Sequence, residues 1–214
     1  MNTIKGQIVD YDGEYLKIRA RYPNWDFIID HKVKDVDIRL NDGVHISNEQ
    51  RRKIYATFRD IAEYRGYDVD DIKLLIKTRF AQKQEIEDFS LSDMPMTLAS
   101  EFIDYILDWC LECGVPLSEP ATSRCEDIEK YAYSCLMHKR CCICGGAADL
   151  HHVDTVGMGG DRANMHHRGL RAMALCRVHH NEIHNSDLEK FYNKYHIVSV
   201  PITEKIARRY KLNY

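Results

Sequence analysis

The chain has 214 residues, of which 44% are hydrophobic and 29% are charged, proportions that are ordinary for a folded globular protein. The formal net charge of −3 argues against a strongly basic nucleic-acid binder, although basic residues outnumber acidic ones in residues 139–214. No apolar run of about 18 residues occurs, so no membrane span is expected. The polar amino terminus lacks an apolar signal region, so we expect a cytoplasmic protein whose eight cysteines are metal ligands or free thiols.

Residues 1–45 carry the pattern of a small antiparallel sheet. Apolar and polar residues alternate over Leu16–Ala20, and Asp12 and Gly13 before them are typical of a hairpin turn. Short apolar pieces at residues 27–29 and 33–40 predict further strands, which end at turn-forming residues.

From residue 47 to about residue 115 the pattern is helical. Ser47 and Gln50 form a capping box for a helix that Gly66 is expected to end, and further helices are predicted over residues 69–80 and from about residue 97 to 113. The apolar side of the third helix is interpreted as core rather than as a surface for stacking bases. A basic run on the first helix is either a solvated face or a phosphate contact. It consists of Arg51, Arg52 and Lys53.

The second half of the chain begins with linker-like composition at residues 117–123. A helix is then predicted over residues 124–138, immediately before a stretch rich in cysteine and histidine. Beyond that stretch, a capping box at residues 186–189 predicts a helix that ends at Tyr195, and a last helix is expected from Thr203.

The spacing of cysteines in residues 141–179 predicts a structural zinc site. Zinc prefers four tetrahedral ligands, and short CxxC and CxxH turns supply two each. The two turns present here contain Cys141, Cys144, Cys176 and His179. Cys142 lies inside the first turn and is an alternative to Cys141, although the spacing would then be CxC.

Four further histidines predict a second metal site next to the first. His180 and His184 are four residues apart in a predicted helix, so they project from one face and can share a metal ion. His151 and His152 lie in a predicted short strand, where neighbouring side chains point to opposite faces. One of these two can therefore bind metal while the other faces the substrate. The glycine-rich residues 156–160 between strand and helix suit a close approach of backbone.

This pattern of residues resembles the HNH nucleases, a family whose fold is a two-stranded hairpin plus a helix around one catalytic metal ion. The resemblance implies that His151, His180 and His184 bind a catalytic divalent ion such as Mg²⁺ or Mn²⁺. It further implies that His152 is the general base and that the CxxC and CxxH turns bind a structural Zn²⁺. Phosphodiester hydrolysis would then leave a 3′-hydroxyl and a 5′-phosphate.

One position departs from the family pattern. The family has an asparagine about fifteen residues after the base, and this residue helps to orient the base histidine. In this chain His167 stands at that spacing, and the nearest asparagine is Asn164. We favour His167 for this role, with Asn164 as the alternative, since a histidine can also donate a hydrogen bond.

Residues 47–115 are similar, as a diffuse helical pattern, to the Orf (NinB) recombination-mediator family of phages. That similarity implies a homodimer that binds single-stranded DNA and acts with single-strand binding protein and a recombinase. The whole chain resembles an HNH protein of phage recombination cassettes. The predicted α+β organisation is a DNA-binding and dimerisation domain at residues 1–116, a linker and helix at 117–138, and a zinc-stapled ββα-metal (HNH) nuclease domain at 139–214. A non-catalytic recombination mediator with a structural zinc domain is the alternative to an endonuclease that cuts single-stranded or branched DNA.

Overall fold

The protein is described by a computed structural model that covers residues 6–20, 28–29, 45–86, 88–154 and 166–214. The chain divides into two compact units, residues 1–41 and residues 42–214. Within the described residues there are seven α-helices and two small antiparallel sheets, which confirms a mixed α+β protein. None of the described helices is long and apolar enough to cross a membrane.

The first unit contains the predicted hairpin. Strand β1 (Gly6–Tyr11) pairs antiparallel with β2 (Leu16–Ala20). In the turn, the Asp12 carboxylate accepts hydrogen bonds from the backbone N–H groups of Tyr15 and Glu14, which lower its pKa. Residues 28–29 are helical, so the strand predicted at 27–29 is wrong there, because three apolar residues are too few to distinguish a strand from a helix. The strand predicted at 33–40 lies outside the described residues.

Three long helices open the second unit. Helix α1 (Asn48–Arg65) has the predicted capping box between Ser47 and Gln50 and ends at Gly66 with φ of 70°. Helix α2 (Val69–Gln84) runs four residues past its predicted end, because residues 81–84 are themselves good helix formers. Helix α3 (Met96–Cys113) buries its apolar side, so the interpretation of that side as core is confirmed. The buried residues there include Phe102, Ile106 and Trp109.

A buried ion pair links α1 to the segment that follows α3. Arg124 is only 2% exposed, and its Nη1 lies 2.6 Å from Oδ2 of Asp60. The same guanidinium donates to the hydroxyls of Thr57 and Ser118. Arg124 therefore belongs to a turn packed on α1 and not to a helix. The predicted start of the next helix at residue 124 is wrong, since the Asp127 side chain caps helix α4 (Ile128–His138).

The last part of the chain is a three-stranded antiparallel sheet with three short helices. Strand β4 (Arg171–Leu175) lies between β3 (Asp149–His152) and the two-residue β5 (Val200–Pro201). Residues 172–175 of β4 are almost completely buried, and α4 packs against this strand. The helices are α5 (Arg177–His184), α6 (Leu188–Tyr195) and α7 (Glu204–Tyr210).

Two details of this part differ from the sequence-based expectation. The side chain that caps α6 is Asp187, which accepts from the backbone N–H of Lys190, whereas the Ser186 hydroxyl donates to the Glu182 carbonyl of α5. Strand β5 was not predicted, because two residues carry no readable alternation. The predicted domain boundaries at residues 116 and 138 stay a prediction. One cluster of buried apolar side chains extends from α1 through α4 into the three-stranded sheet.

Candidate metal centres

The first group of metal-ligand side chains is built on a tight turn after α4. Gly145 adopts φ of 69°, which favours glycine, and its N–H donates to the Cys141 carbonyl. The Cys141 N–H donates in turn to the Gly146 carbonyl, so the turn closes on itself. The N–H of Cys142 donates to the Ala174 carbonyl and ties this turn to β4.

The side chains of Cys141, Cys144, Cys176 and His179 converge so that all their ligand atoms lie within 4.8 Å of one another. Nδ1 of His179 is 3.4 Å from Sγ of Cys141 and 3.2 Å from Sγ of Cys176. The sulfurs of Cys144 and Cys176 are 3.7 Å apart. Ligand atoms bound tetrahedrally to one zinc ion are roughly 3.5 to 3.8 Å apart. The group therefore fits a zinc ion, with Nδ1 as the ligand atom of His179.

Protonation in this group depends on burial and on nearby backbone donors. Burial raises the pKa of the Cys141 thiol to about 12, so an ion at the site would have to supply the charge that ionises it. Burial alone would also raise the pKa of Cys176. The backbone N–H of His179 and the neighbouring thiols Cys144 and Cys141 outweigh burial, and the pKa of Cys176 is lowered.

Cys142, the alternative ligand, does not join the group. Its side chain is buried in the hydrophobic core, and burial raises its pKa well above that of an ordinary thiol. Of the two cysteines, Cys141 is the one whose sulfur approaches His179.

A second group consists of three histidines, His151 from β3 and His180 and His184 from α5. Their ligand nitrogens all lie within 4.8 Å of one another, and the ring centroids are 4.7 to 5.1 Å apart. Helical spacing puts His180 and His184 on one face of α5, as predicted. Pairing of His151 with Met173 holds β3 beside the strand that leads into that helix. Three converging imidazole nitrogens are a suitable ligand set for a divalent transition-metal ion.

His151 and His180 are held in their neutral forms. Burial, followed by the proximity of His180, His184 and His152, lowers the pKa of His151 to about 4. Burial and the neighbouring His184 and Arg177 lower the pKa of His180 as well. A lowered pKa means that the ring keeps its lone pair at pH values where an ordinary histidine is protonated. Both rings are therefore available as metal ligands at neutral pH.

His152 points away from the three-histidine group and meets His167. Nε2 of His152 lies 2.9 Å from Nδ1 of His167, a hydrogen-bond distance. His167 is only 7% exposed, and its backbone N–H donates to the carbonyl of Asn213 near the carboxy terminus. The structure thus brings His167, which follows His152 by fifteen residues, into contact with the His152 ring. Asn164 and the glycine-rich residues 156–160 lie outside the described residues.

The side chains of the basic run on α1 make their contacts with residues outside both metal-ligand groups. Arg51 donates to the carbonyls of Leu91 and Ser92, and Lys53 pairs with Glu126 at 2.9 Å. Two of the three side chains therefore have structural partners, and only Arg52 is fully exposed. The DNA contact predicted for this run remains a prediction.

The two clusters define the end of this chain as a module that can hold metal ions at neighbouring sites. A family model described as "Putative HNHc nuclease" matches residues 18–213, which is most of the chain. The chain belongs to this family of HNH nucleases. No curated protein and no solved structure matches the chain significantly.

Proposed function

We propose that this protein is a metal-dependent DNA endonuclease of the HNH type, with His152 as the general base. The observation that carries the proposal is the arrangement of adjacent residues on β3. His151 belongs to a three-histidine group, and His152 is hydrogen-bonded to His167 on the other side of the strand. Membership in the HNH nuclease family supports the same function.

The order of elements supports a ββα-metal arrangement. β3 and β4 pair as an antiparallel hairpin, and α5 follows β4 after a single residue. β3 carries His151 and His152, and α5 carries His180 and His184. The Cys141, Cys144, Cys176 and His179 group joins the start of α5 to the turn after α4, and we infer that a zinc ion there fixes the position of the helix.

The proposed reaction uses the histidines in two different roles. His151, His180 and His184 would hold a divalent ion. Imidazole nitrogens favour Mn²⁺ or another transition-metal ion over Mg²⁺, which prefers oxygen ligands. When bound, this ion supplies positive charge that stabilises the scissile phosphate and the leaving 3′ oxygen. His152 accepts a proton from the attacking water. The water oxygen bonds to phosphorus as the bond between phosphorus and the 3′ oxygen breaks. The departing 3′ oxygen takes up a proton from solvent, which leaves a 3′-hydroxyl and a 5′-phosphate.

The His167 contact would fix the tautomer of His152. When the hydrogen lies on Nε2 of His152, this atom donates to Nδ1 of His167, and the lone pair that can accept a proton is on Nδ1 of His152. His167 therefore acts on the reaction through His152. This is the orienting role that the resemblance to HNH nucleases implies for the residue fifteen positions after the base.

We also propose that the substrate is single-stranded or branched DNA in phage recombination and that the protein acts as a homodimer with single-strand binding protein and a recombinase. This part rests on the resemblance of residues 47–115 to the Orf (NinB) family. A non-catalytic mediator that uses the zinc group structurally is the competing function.

Cleavage assays distinguish the two functions. The full-length protein, incubated with plasmid, single-stranded and branched DNA and added Mg²⁺ or Mn²⁺, is expected to cut with 5′-phosphate ends. Absence of cutting with every metal ion and substrate, together with tight single-strand binding, would favour the mediator.

A further inference from the structure

The exposed residue Arg177 lies at the rim of the three-histidine group. It is the first residue of α5 and precedes His180 by three positions and His184 by seven. Positions i, i+3 and i+7 share one face of an α-helix. Val178, the next residue, is 72% exposed, so this turn of the helix faces solvent rather than the core.

The charge of Arg177 is not neutralised by a neighbouring carboxylate within the described parts of the chain. None of the described acidic side chains forms an ion pair with Arg177. This includes Asp149, whose charge acts on the neighbouring His180. Lys194, by contrast, forms an ion pair with Glu182 at 2.6 Å. A guanidinium with no ion-pair partner among the described residues, on the same helix face as two of the three clustered imidazoles, is an environment suited to an anion.

We propose that Arg177 binds a backbone phosphate of the nucleic acid, next to the phosphate at the three-histidine group. The helical rise puts Arg177 about 4.5 Å before His180 along the axis of α5 and about 10 Å before His184. Its guanidinium therefore reaches a phosphate that neighbours the reacting one. A planar guanidinium can donate two parallel hydrogen bonds to phosphate oxygens.

This assignment rests on the proposed nuclease function and predicts a binding role rather than a chemical one. Because the contact exists both before and during the reaction, its loss should raise KM about tenfold while kcat changes by less than about threefold. A change in KM of about tenfold is the size expected for the loss of one charge-assisted hydrogen bond. A residue that acted on the reacting phosphate would lower kcat instead.

The test compares Arg177→Ala with Lys190→Ala, which removes an exposed positive charge from the next helix. Binding of short duplex and single-stranded DNA to the full-length protein is measured over a salt series without added Mg²⁺ or Mn²⁺, and cleavage kinetics are measured with the ions. Unchanged zinc content and circular dichroism show that each variant is folded.

For Arg177→Ala we expect about tenfold weaker binding and a slope of log K against log salt that is smaller by about 1, as for the loss of one phosphate contact. Lys190→Ala should leave both the affinity and the salt slope near their wild-type values. Arg177→Lys, which keeps the positive charge, should keep most of the wild-type slope. If Arg177→Ala and Lys190→Ala bind DNA with the same affinity and salt slope, the proposed phosphate contact is wrong, even if the protein cuts DNA. If the wild type never cuts DNA, the nuclease function fails, and the salt slope still decides whether Arg177 contacts phosphate.

Discussion

Nε2 of His152 and Nδ1 of His167 lie 2.9 Å apart, although the two residues are separated by fifteen positions in the chain. The backbone of His167 is fixed from the other side by its N–H bond to the Asn213 carbonyl. His167 is buried, and we propose that it fills the position at which the HNH pattern has an asparagine. The orientation of the proposed base would then depend on this imidazole.

The first prediction concerns which residue orients His152. His167→Ala should lower kcat by about 10- to 100-fold with little change in KM, because the ring of His152 loses the partner of its Nε2. His167→Asn should keep much of the activity, since an amide can also form this hydrogen bond. Asn164→Ala is the matched control and should cut at nearly the wild-type rate. A large loss in Asn164→Ala with normal cutting by His167→Ala would reverse the assignment.

The second prediction concerns the cysteine group. Cys144→Ser should release zinc and destabilise the residues that follow α4, because a hydroxyl is a poor replacement for a zinc-bound thiolate. Zinc content by mass spectrometry and thermal unfolding provide the measurement. Cys113→Ser, which changes a half-buried thiol outside both metal groups, is the control and should retain its zinc. A folded Cys144→Ser protein with its full zinc content would disprove the ligand set.

The third prediction separates the two metal sites. His184→Ala removes one of three imidazoles and should weaken Mn²⁺ binding by at least about tenfold, while zinc stays bound to the cysteine group. Titration calorimetry with Mn²⁺ measures the first effect and metal analysis the second. His45→Ala, which changes an exposed histidine outside both metal-ligand groups, should change neither. Joint loss of zinc and Mn²⁺ binding in His184→Ala would argue for a single site.

The fourth prediction concerns the buried ion pair that links α1 to residues 117–127. Asp60→Ala should lower the free energy of unfolding by about 3 to 5 kcal/mol, because it removes the buried carboxylate at 2.6 Å from Arg124 and leaves only the exposed Glu119 at 3.6 Å. Glu204→Ala breaks an exposed pair with Arg208 on α7 and should cost less than about 1 kcal/mol. Urea unfolding measures both. Equal effects of the two substitutions would contradict a structural role for the buried pair.

Local patterns account for what the sequence predicts well. The spacing within the CxxC, CxxH and HxxxH motifs is fixed by single turns and one helix, so the two metal-ligand groups could be assigned before any coordinates. The face shared by Arg177, His180 and His184 is equally readable from positions i, i+3 and i+7, whereas the sequence predicts a DNA contact only for the basic run on α1. Within that run, Arg51 and Lys53 have structural partners.

The features that could not be predicted depend on contacts between residues far apart in the sequence. The bond between His167 and Asn213 spans 46 positions, and the pair of Asp60 and Arg124 spans 64. No local periodicity encodes such contacts. The start of α4 was misplaced for a related reason, since Arg124 is committed to α1 and the helix begins only after the Asp127 cap.

The most direct test of the nuclease assignment is a single-turnover comparison of wild type and His152→Ala on one cleavable DNA substrate with saturating Mn²⁺. Loss of a general base lowers the rate by about 100- to 10,000-fold, and we expect a decrease in this range with zinc content and DNA affinity unchanged. Equal cutting by the two proteins would contradict the central claim that His152 activates the attacking water.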